Sequence, residues 1–273
     1  MAGYLVPTKQ VRVTDLQARK GERPWAMLTC YDYSTARAFA DAGIECMLVG
    51  DSAANVMLGH ASTTSIALDE MAMLGAAVVR GAGNALVVID MPFGTYEASD
   101  EQAVRSATEL LRRTGAHVVK LEGGVRMADR IRALKAAGLA VCAHVGFTPQ
   151  SVNGLGGFKV QGRGEAGDAV RADVAAVVEA GADMVVFEMV PAELAAEITA
   201  QCPIPTIGIG AGAQCDAQVL VWHDMLGVPE GARRPSFVGV FGQVGAELVR
   251  GAAAYKEAVE TGAFPTAEQD FSS

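Results

Sequence analysis

Leu86-Val87-Val88-Ile89-Asp90 is a short, unbroken apolar run that closes on a carboxylate. Working outward, the same phrase precedes it by 39 residues, as Met47-Leu48-Val49-Gly50-Asp51, and follows it by 32, as Val118-Val119-Lys120-Leu121-Glu122. A further copy, Val185-Val186-Phe187-Glu188, ends 66 residues beyond Glu122. Spacings of this size fit one strand-plus-helix unit and, for the last, two. Runs that are apolar throughout suit strands covered on both faces, as in a parallel sheet. Carboxylates at the same end of neighbouring parallel strands point into one shared cavity, where a cation or a proton must compensate them.

Other runs of this kind are Ala26–Cys30, Cys46–Gly50, His117–Glu122, Ala140–Val145, Met184–Glu188, Thr206–Ile209 and Val219–Trp222. With Leu86–Asp90 they make eight candidate strands. Helical patterns lie between them: Thr35–Ala42, Asp100–Thr114, Met127–Ala137 and Asp168–Ala180, each followed by glycine. Acid at the start and Gly past the end match the polarity of helix termini. The phrases Ala42-Gly43-Ile44, Thr114-Gly115-Ala116 and Ala180-Gly181-Ala182 read as one reused helix-to-strand turn. Eight βα-like units in 273 residues predict an α/β fold of the TIM-barrel kind, (β/α)8, as a single domain over 1–273. A doubly wound open sheet is the rival. Ala211–Gln218 is too short for a full helix, so the seventh unit is incomplete. Thr14-Asp15-Leu16-Gln17 reads as a capping box opening a short N-terminal helix that plugs the barrel floor. Glu247–Glu260 reads as a C-terminal helix, followed by a loose tail at Phe264–Ser273.

Composition bounds the function. Net charge is −9, which argues against nucleic acid or an anionic membrane as partner. No apolar run reaches the roughly 18 residues of a membrane span, and Met1–Asp15 lacks the apolar stretch of a signal peptide. A cytoplasmic protein is expected. Cys30, Cys46, Cys142, Cys202 and Cys215 are odd in number and form no CxxC pair, so they read as small buried hydrophobes.

In a TIM barrel the functional face is the C-terminal end of the strands. Asp51, Ser52, Asp90, Lys120, Glu122, His144 and Glu188 all fall there. One strand-end Asp is commonly a helix cap; three on consecutive strands are hard to read that way. Two Asp and one Glu offer hard oxygen ligands that suit Mg²⁺, while no Cys/His set has zinc spacing. Mg²⁺ with open positions would chelate a 2-oxo acid and acidify its neighbouring C–H. Glu188, off the metal, would take that proton. Lys120 would hold the substrate carboxylate or balance the enolate. His117 reads as structural, and His144 as the one histidine in the site. The glycine-rich segment Gln150–Arg163 reads as a lid. Gly208-Ile209-Gly210-Ala211-Gly212 fits either a phosphate loop or a tight turn.

At these residues the chain resembles the ketopantoate hydroxymethyltransferase family. The matching phrases are Thr29–Tyr33, Val49–Ser52, Asp90–Phe93, Val119–Gly124, His144–Gln150, Gly156–Arg163, Glu188–Pro191 and Gly208–Gly212, in order along nearly the whole chain. The resemblance implies a (β/α)8 barrel, a homodecamer and one Mg²⁺ per subunit. It implies transfer of a hydroxymethyl group from 5,10-methylenetetrahydrofolate to 2-oxoisovalerate (3-methyl-2-oxobutanoate), giving 2-dehydropantoate for pantothenate synthesis. It places Asp51, Asp90 and Glu122 on the metal, Asp51, Ser52, Asp90 and Lys120 on the oxo acid, and Glu188 as the base. The folate donor comes from the resemblance alone. Ala61 stands where the family commonly has Asp, and Leu74 where some members have His. The rival readings are a Mg²⁺-dependent lyase or mutase of the isocitrate lyase–phosphoenolpyruvate mutase type, whose reactive Cys motif is absent, and a barrel that binds metal or oxo acid without turnover.

Overall fold

The computed structural model describes residues 9–228 and 234–271. Met1–Thr8 and the last two residues of the expected tail, Ser272 and Ser273, lie outside them. By internal contacts the chain divides into two compact units, Met1–Val221 and Trp222–Ser273.

The first unit is a closed barrel of eight parallel strands, β1 Trp25–Thr29, β2 Cys46–Val49, β3 Leu86–Asp90, β4 Val118–Glu122, β5 Val141–Gly146, β6 Met184–Glu188, β7 Thr206–Ile209 and β8 Ala217–Leu220. They follow chain order around the ring, and β8 closes it on β1, with Ala217 opposite Trp25 and Val219 opposite Met27. Closure excludes the open doubly wound sheet.

Helices connect the strands. They are α1 Val13–Gln17 before β1, α2 Tyr33–Asp41, α3 Ala53–Val56, α4 Leu68–Gly81, α5 Asp100–Thr114, α6 Ala128–Ala136, α7 Val152–Leu155, α8 Gly167–Glu179 and α9 Ala192–Gln201. No helix separates β7 from β8, as the short segment between them requires. Local chemistry sets the ends. Asp32 accepts the Ser34 and Thr35 N–H groups at the start of α2, Ser99 caps α5, and Gly115 closes α5 at φ 77°, where a Cβ would be strained.

Two expectations need correction. The cap of α1 is Arg12 rather than Thr14: the helix starts at Val13, and Asp15 Oδ2 accepts the Arg12 N–H at 2.8 Å. The eighth strand is Ala217–Leu220 rather than Val219–Trp222. Backbone pairing to Trp25 and Ile207 draws Ala217 into the sheet, whereas Trp222 opens a helical turn.

Alternation explains the interior. Met27, Cys46, Leu48, Leu86, Val88, Val118, Cys142, Met184, Val186, Ile207, Ala217 and Val219 form one buried cluster with Trp25 and with Leu16 from α1. Leu16 is fully buried there, so α1 closes the lower end of the barrel. At the foot of β7 and β8, Asp216 accepts from Lys20, Gly21 and Thr206, tying the segment after α1 to the sheet. All five cysteines are buried and free, and burial raises their thiol pKa values.

In the second unit, α10 Trp222–Met225 is one helical turn, and α11 Val244–Glu260 is a long helix. The N–H groups of Phe241 and Val244 donate to the Met225 and Leu226 carbonyls. Leu248, Val249 and Tyr255 on α11 are exposed. Among the described residues no helix is long and apolar enough to cross a membrane.

Candidate functional site

The inward alternation continues past the apolar cluster. Two residues beyond Val88 comes Asp90; beyond Val118, Lys120 and then Glu122; beyond Cys142, His144; beyond Val186, Glu188. A period of two keeps all of these on the barrel's inner face. The strands therefore carry an apolar lower layer and a charged upper one. Asp51 lies just past β2 and is fixed from β3, since Asp90 Oδ2 accepts the Asp51 N–H at 2.9 Å. Asp51, Asp90, Lys120, Glu122 and His144 are all buried, and Glu188 is half-buried at the edge.

Contacts divide the set. Lys120 Nζ lies 2.8 Å from Asp90 Oδ1 and 3.3 Å from His144 Nδ1. His144 Nδ1 lies 3.4 Å from Glu122 Oε1, and its Nε2 lies 3.2 Å from Glu188 Oε2. Ser52 Oγ is 2.8 Å from the buried Tyr31 hydroxyl. The structure thus links Asp90, Lys120, Glu122, His144 and Glu188 through side-chain contacts, ties Asp51 to Asp90 through its N–H, and sets Ser52 against Tyr31. His117 stays outside it and accepts the Val87 N–H at 2.9 Å, the structural role expected.

Burial raises the Asp51 carboxyl to about 6, helped by the Glu122 charge and opposed by Lys120. Burial also raises Asp90, against the pull of Lys120. For Lys120, burial works against the ammonium, but Asp90, Glu122 and Asp51 outweigh it and its pKa rises. Burial and Lys120 both oppose a charged His144, yet its contacts with Glu122 and Glu188 raise it to about 9.

Two residues of the site carry no role in the sequence reading. Gln150 Nε2 donates to Asp51 Oδ2 at 3.0 Å, and the Gln150 N–H donates to Glu122 Oε2 at 2.9 Å. Tyr96 donates its O–H to Gln150 Oε1. Gln150 ends the phrase His144–Gln150. The segment expected as a lid starts at this residue. It folds as a 3-10 turn at Pro149–Ser151, then α7, and returns where the Gln161 N–H donates to the Met189 carbonyl at 2.9 Å. Met189 holds φ 49°, unusual for a residue with a side chain, directly after Glu188. Gly146 is at φ 88° and packs so close that a Cβ there would meet the Glu188 carbonyl at 2.4 Å.

Glycine 212 is a tight-turn residue: a Cβ there would stand 2.5 Å from Ala192 at the start of α9. A cleft of about 590 Å³ lies between Gly123–Arg126, the 146–155 segment and α8. None of the buried charged residues lines it, so the candidate site is the polar cluster rather than this cleft.

Could the cluster hold a metal? Four carboxylates, Asp51, Asp90, Glu122 and Glu188, face two cationic groups, Lys120 and His144. Asp90 Oδ1 and Glu122 Oε1 are buried with ionic contacts but no aligned hydrogen bond. Oxygen donors carrying an excess of negative charge fit a hard divalent cation. Among the described residues no group of three His, Cys, Asp or Glu side chains is already gathered for one.

The sequence profile of ketopantoate hydroxymethyltransferase matches residues 10–267. The chain belongs to the ketopantoate hydroxymethyltransferase family. Its relatives include proteins named 3-methyl-2-oxobutanoate hydroxymethyltransferase from Corynebacterium jeikeium and Corynebacterium diphtheriae. Each is 66% identical, over 98% and 97% of this chain and 95% and 100% of theirs. With this family the chain is a transferase. Among solved structures it is similar to phosphoenolpyruvate phosphomutase from Streptomyces platensis subsp. rosaceus, with a TM-score of 0.62 and 14% identity over 92% of this chain and 88% of that one. A phosphonopyruvate hydrolase described in complex with oxalate and Mg++ gives a TM-score of 0.60 and 11% identity over 95% and 93%. At such identities the likeness extends to the barrel fold alone. This chain therefore shares a barrel fold with a phosphoenolpyruvate phosphomutase.

Proposed function

We propose that this chain adds a hydroxymethyl group to C3 of 3-methyl-2-oxobutanoate. The one-carbon unit comes from 5,10-methylenetetrahydrofolate, and the product is 2-dehydropantoate, on the route to pantothenate. The observation that carries this reading is the buried set Asp51, Asp90, Lys120, Glu122 and His144 with Glu188 at its edge. It stands in a chain 66% identical to proteins named for this activity.

Asp51, Asp90 and Glu122 would hold Mg²⁺, which supplies Lewis-acid polarisation of the keto oxygen when bound. The phosphonopyruvate hydrolase of the same fold supports that choice, since oxalate shares the paired oxygens of a 2-oxo acid. Lys120 Nζ, already paired with Asp90, offers a buried positive charge to the substrate carboxylate. Ser52 Oγ, held by Tyr31, binds beside it. Glu188 takes the C3 proton. His144 orients it, because its Nε2 faces Glu188 Oε2 while its Nδ1 faces Glu122. The C3 electron pair then bonds to the methylene carbon as that carbon's bond to one folate nitrogen breaks. Water then displaces the second folate nitrogen and supplies the hydroxyl. The proton taken from C3 and the one given up by water go to the two folate nitrogens, and tetrahydrofolate leaves.

The test is deuterium uptake at C3 of 3-methyl-2-oxobutanoate in D₂O, with folate omitted and Mg²⁺ present or withheld. Mg²⁺-dependent uptake is expected. No uptake, together with no folate-dependent product, overturns the reading.

A cytoplasmic homodecamer completes the proposal. The exposed Leu248, Val249 and Tyr255 support self-association, and the five free thiols suit a reducing compartment. A monomer mass by light scattering would remove the assembly.

A further inference from the structure

Gln150 and Tyr96 connect the carboxylates to one another. Both are buried, at 7% and 1% exposure. Beyond its bonds to Asp51 and Glu122, Gln150 donates from Nε2 to the Met91 carbonyl at 3.1 Å. Tyr96 Oη, while donating to Gln150, accepts the Glu122 N–H at 3.2 Å. The hydrogen-bond inventory forces one orientation of the amide. The Asp51 carboxylate and the Met91 carbonyl only accept, so the NH₂ group must face them and Oε1 must face the phenol. The Gln150 main-chain N–H donates to Glu122 Oε2, and Glu122 Oε1 lies toward His144.

We infer that Gln150 is a positioning residue: its amide sets the facing of Asp51 for the cation and the oxo acid, beside the Glu122 carboxylate that its main chain holds, and Tyr96 locks the amide in place. This rests on the proposed placement of Mg²⁺ at Asp51, Asp90 and Glu122. The position in the chain adds a consequence. Gln150 begins the glycine-rich segment whose far end is pinned at Met189, beside Glu188. One segment therefore ties the carboxylates at one side of the site to Glu188 at the other.

The probe is Mg²⁺ alone, titrated calorimetrically into the full-length protein without substrate. Gln150→Met keeps the bulk and the main-chain bond to Glu122 but removes the amide. Partners of this kind set metal affinity by about 10–100-fold, and a loss of that size is expected with the melting temperature little changed. At saturating Mg²⁺ the variant should lower kcat for C3 exchange more than it raises KM for the oxo acid. Tyr96→Phe should show a smaller loss of the same kind. The double variant should lose less than the two separate losses combined, since both act through one hydrogen-bond chain. Wild-type-like Mg²⁺ affinity in folded Gln150→Met overturns the inference and leaves the site reading standing. If Gln150→Met does not fold, wild-type-like affinity in Tyr96→Phe has the same force. No Mg²⁺ binding by the wild-type protein removes the metal reading and this inference with it.

Discussion

Lys120 Nζ stands 2.8 Å from Asp90 Oδ1 on the neighbouring strand, and both side chains are buried. Removing one partner of such a pair leaves a charge in low dielectric with nothing to compensate it. Lys120→Met should therefore cost about 3–5 kcal/mol of stability. Adding Asp90→Asn to it should recover a large part of that loss. Urea unfolding of the two variants without metal checks this; an undiminished loss in the double variant would show that Asp90 is not the group Lys120 compensates.

Asp51 sets a pH limit on metal binding. Its carboxyl is raised by burial, then by Glu122, to about 6, so a proton competes with a cation for it below that pH. Mg²⁺ affinity should rise with pH and level off above about 6. Asp90→Ala should weaken binding at every pH. Calorimetry across pH 5 to 8 reads both effects, and unchanged affinity in Asp90→Ala would take that residue off the metal.

His144 gives a stability slope of opposite placement. Burial and Lys120 depress it, but Glu122 and Glu188 raise it to about 9, above its ordinary 6.5. A raised folded-state pKa contributes stability that is complete below about 6.5 and lost as pH climbs through about 9. The size is on the order of 3 kcal/mol. The metal-free protein should lose stability across that window, and His144→Gln should lack the slope. A parallel loss in both proteins would place the titration elsewhere.

These residues were unequally legible in the sequence. Asp90, Lys120, Glu122, His144 and Glu188 extend a strand alternation whose apolar members already mark the inner face, so their direction follows from their position. Gln150 and Tyr96 lie past strand ends, where no period fixes direction, and neither residue type signals a metal site. The helices α4 and α9 escaped because α4 is apolar around most of its girth, with Gly75 and Gly81 interrupting the pattern, and α9 has few charges to define a solvent face. The family resemblance supplied the donor of the one-carbon unit, which no residue of this site reveals by its chemistry.

Glu188 carries the last prediction. It is the one carboxylate of the four that is half-buried, and within the cluster it contacts His144 at 3.2 Å. Its carboxylate is therefore the one free to face a substrate seated on the others. Glu188→Gln keeps the shape and a polar contact to His144 but removes the proton acceptor. General-base catalysis supplies about 10²–10⁴-fold, so C3 exchange should fall by that factor. Mg²⁺ affinity and oxo-acid binding should stay within a few-fold of wild type, since neither is assigned to this residue. Exchange at the wild-type rate would mean that another group takes the proton. Loss of Mg²⁺ binding would instead move Glu188 onto the metal and leave the base to be found among the remaining groups.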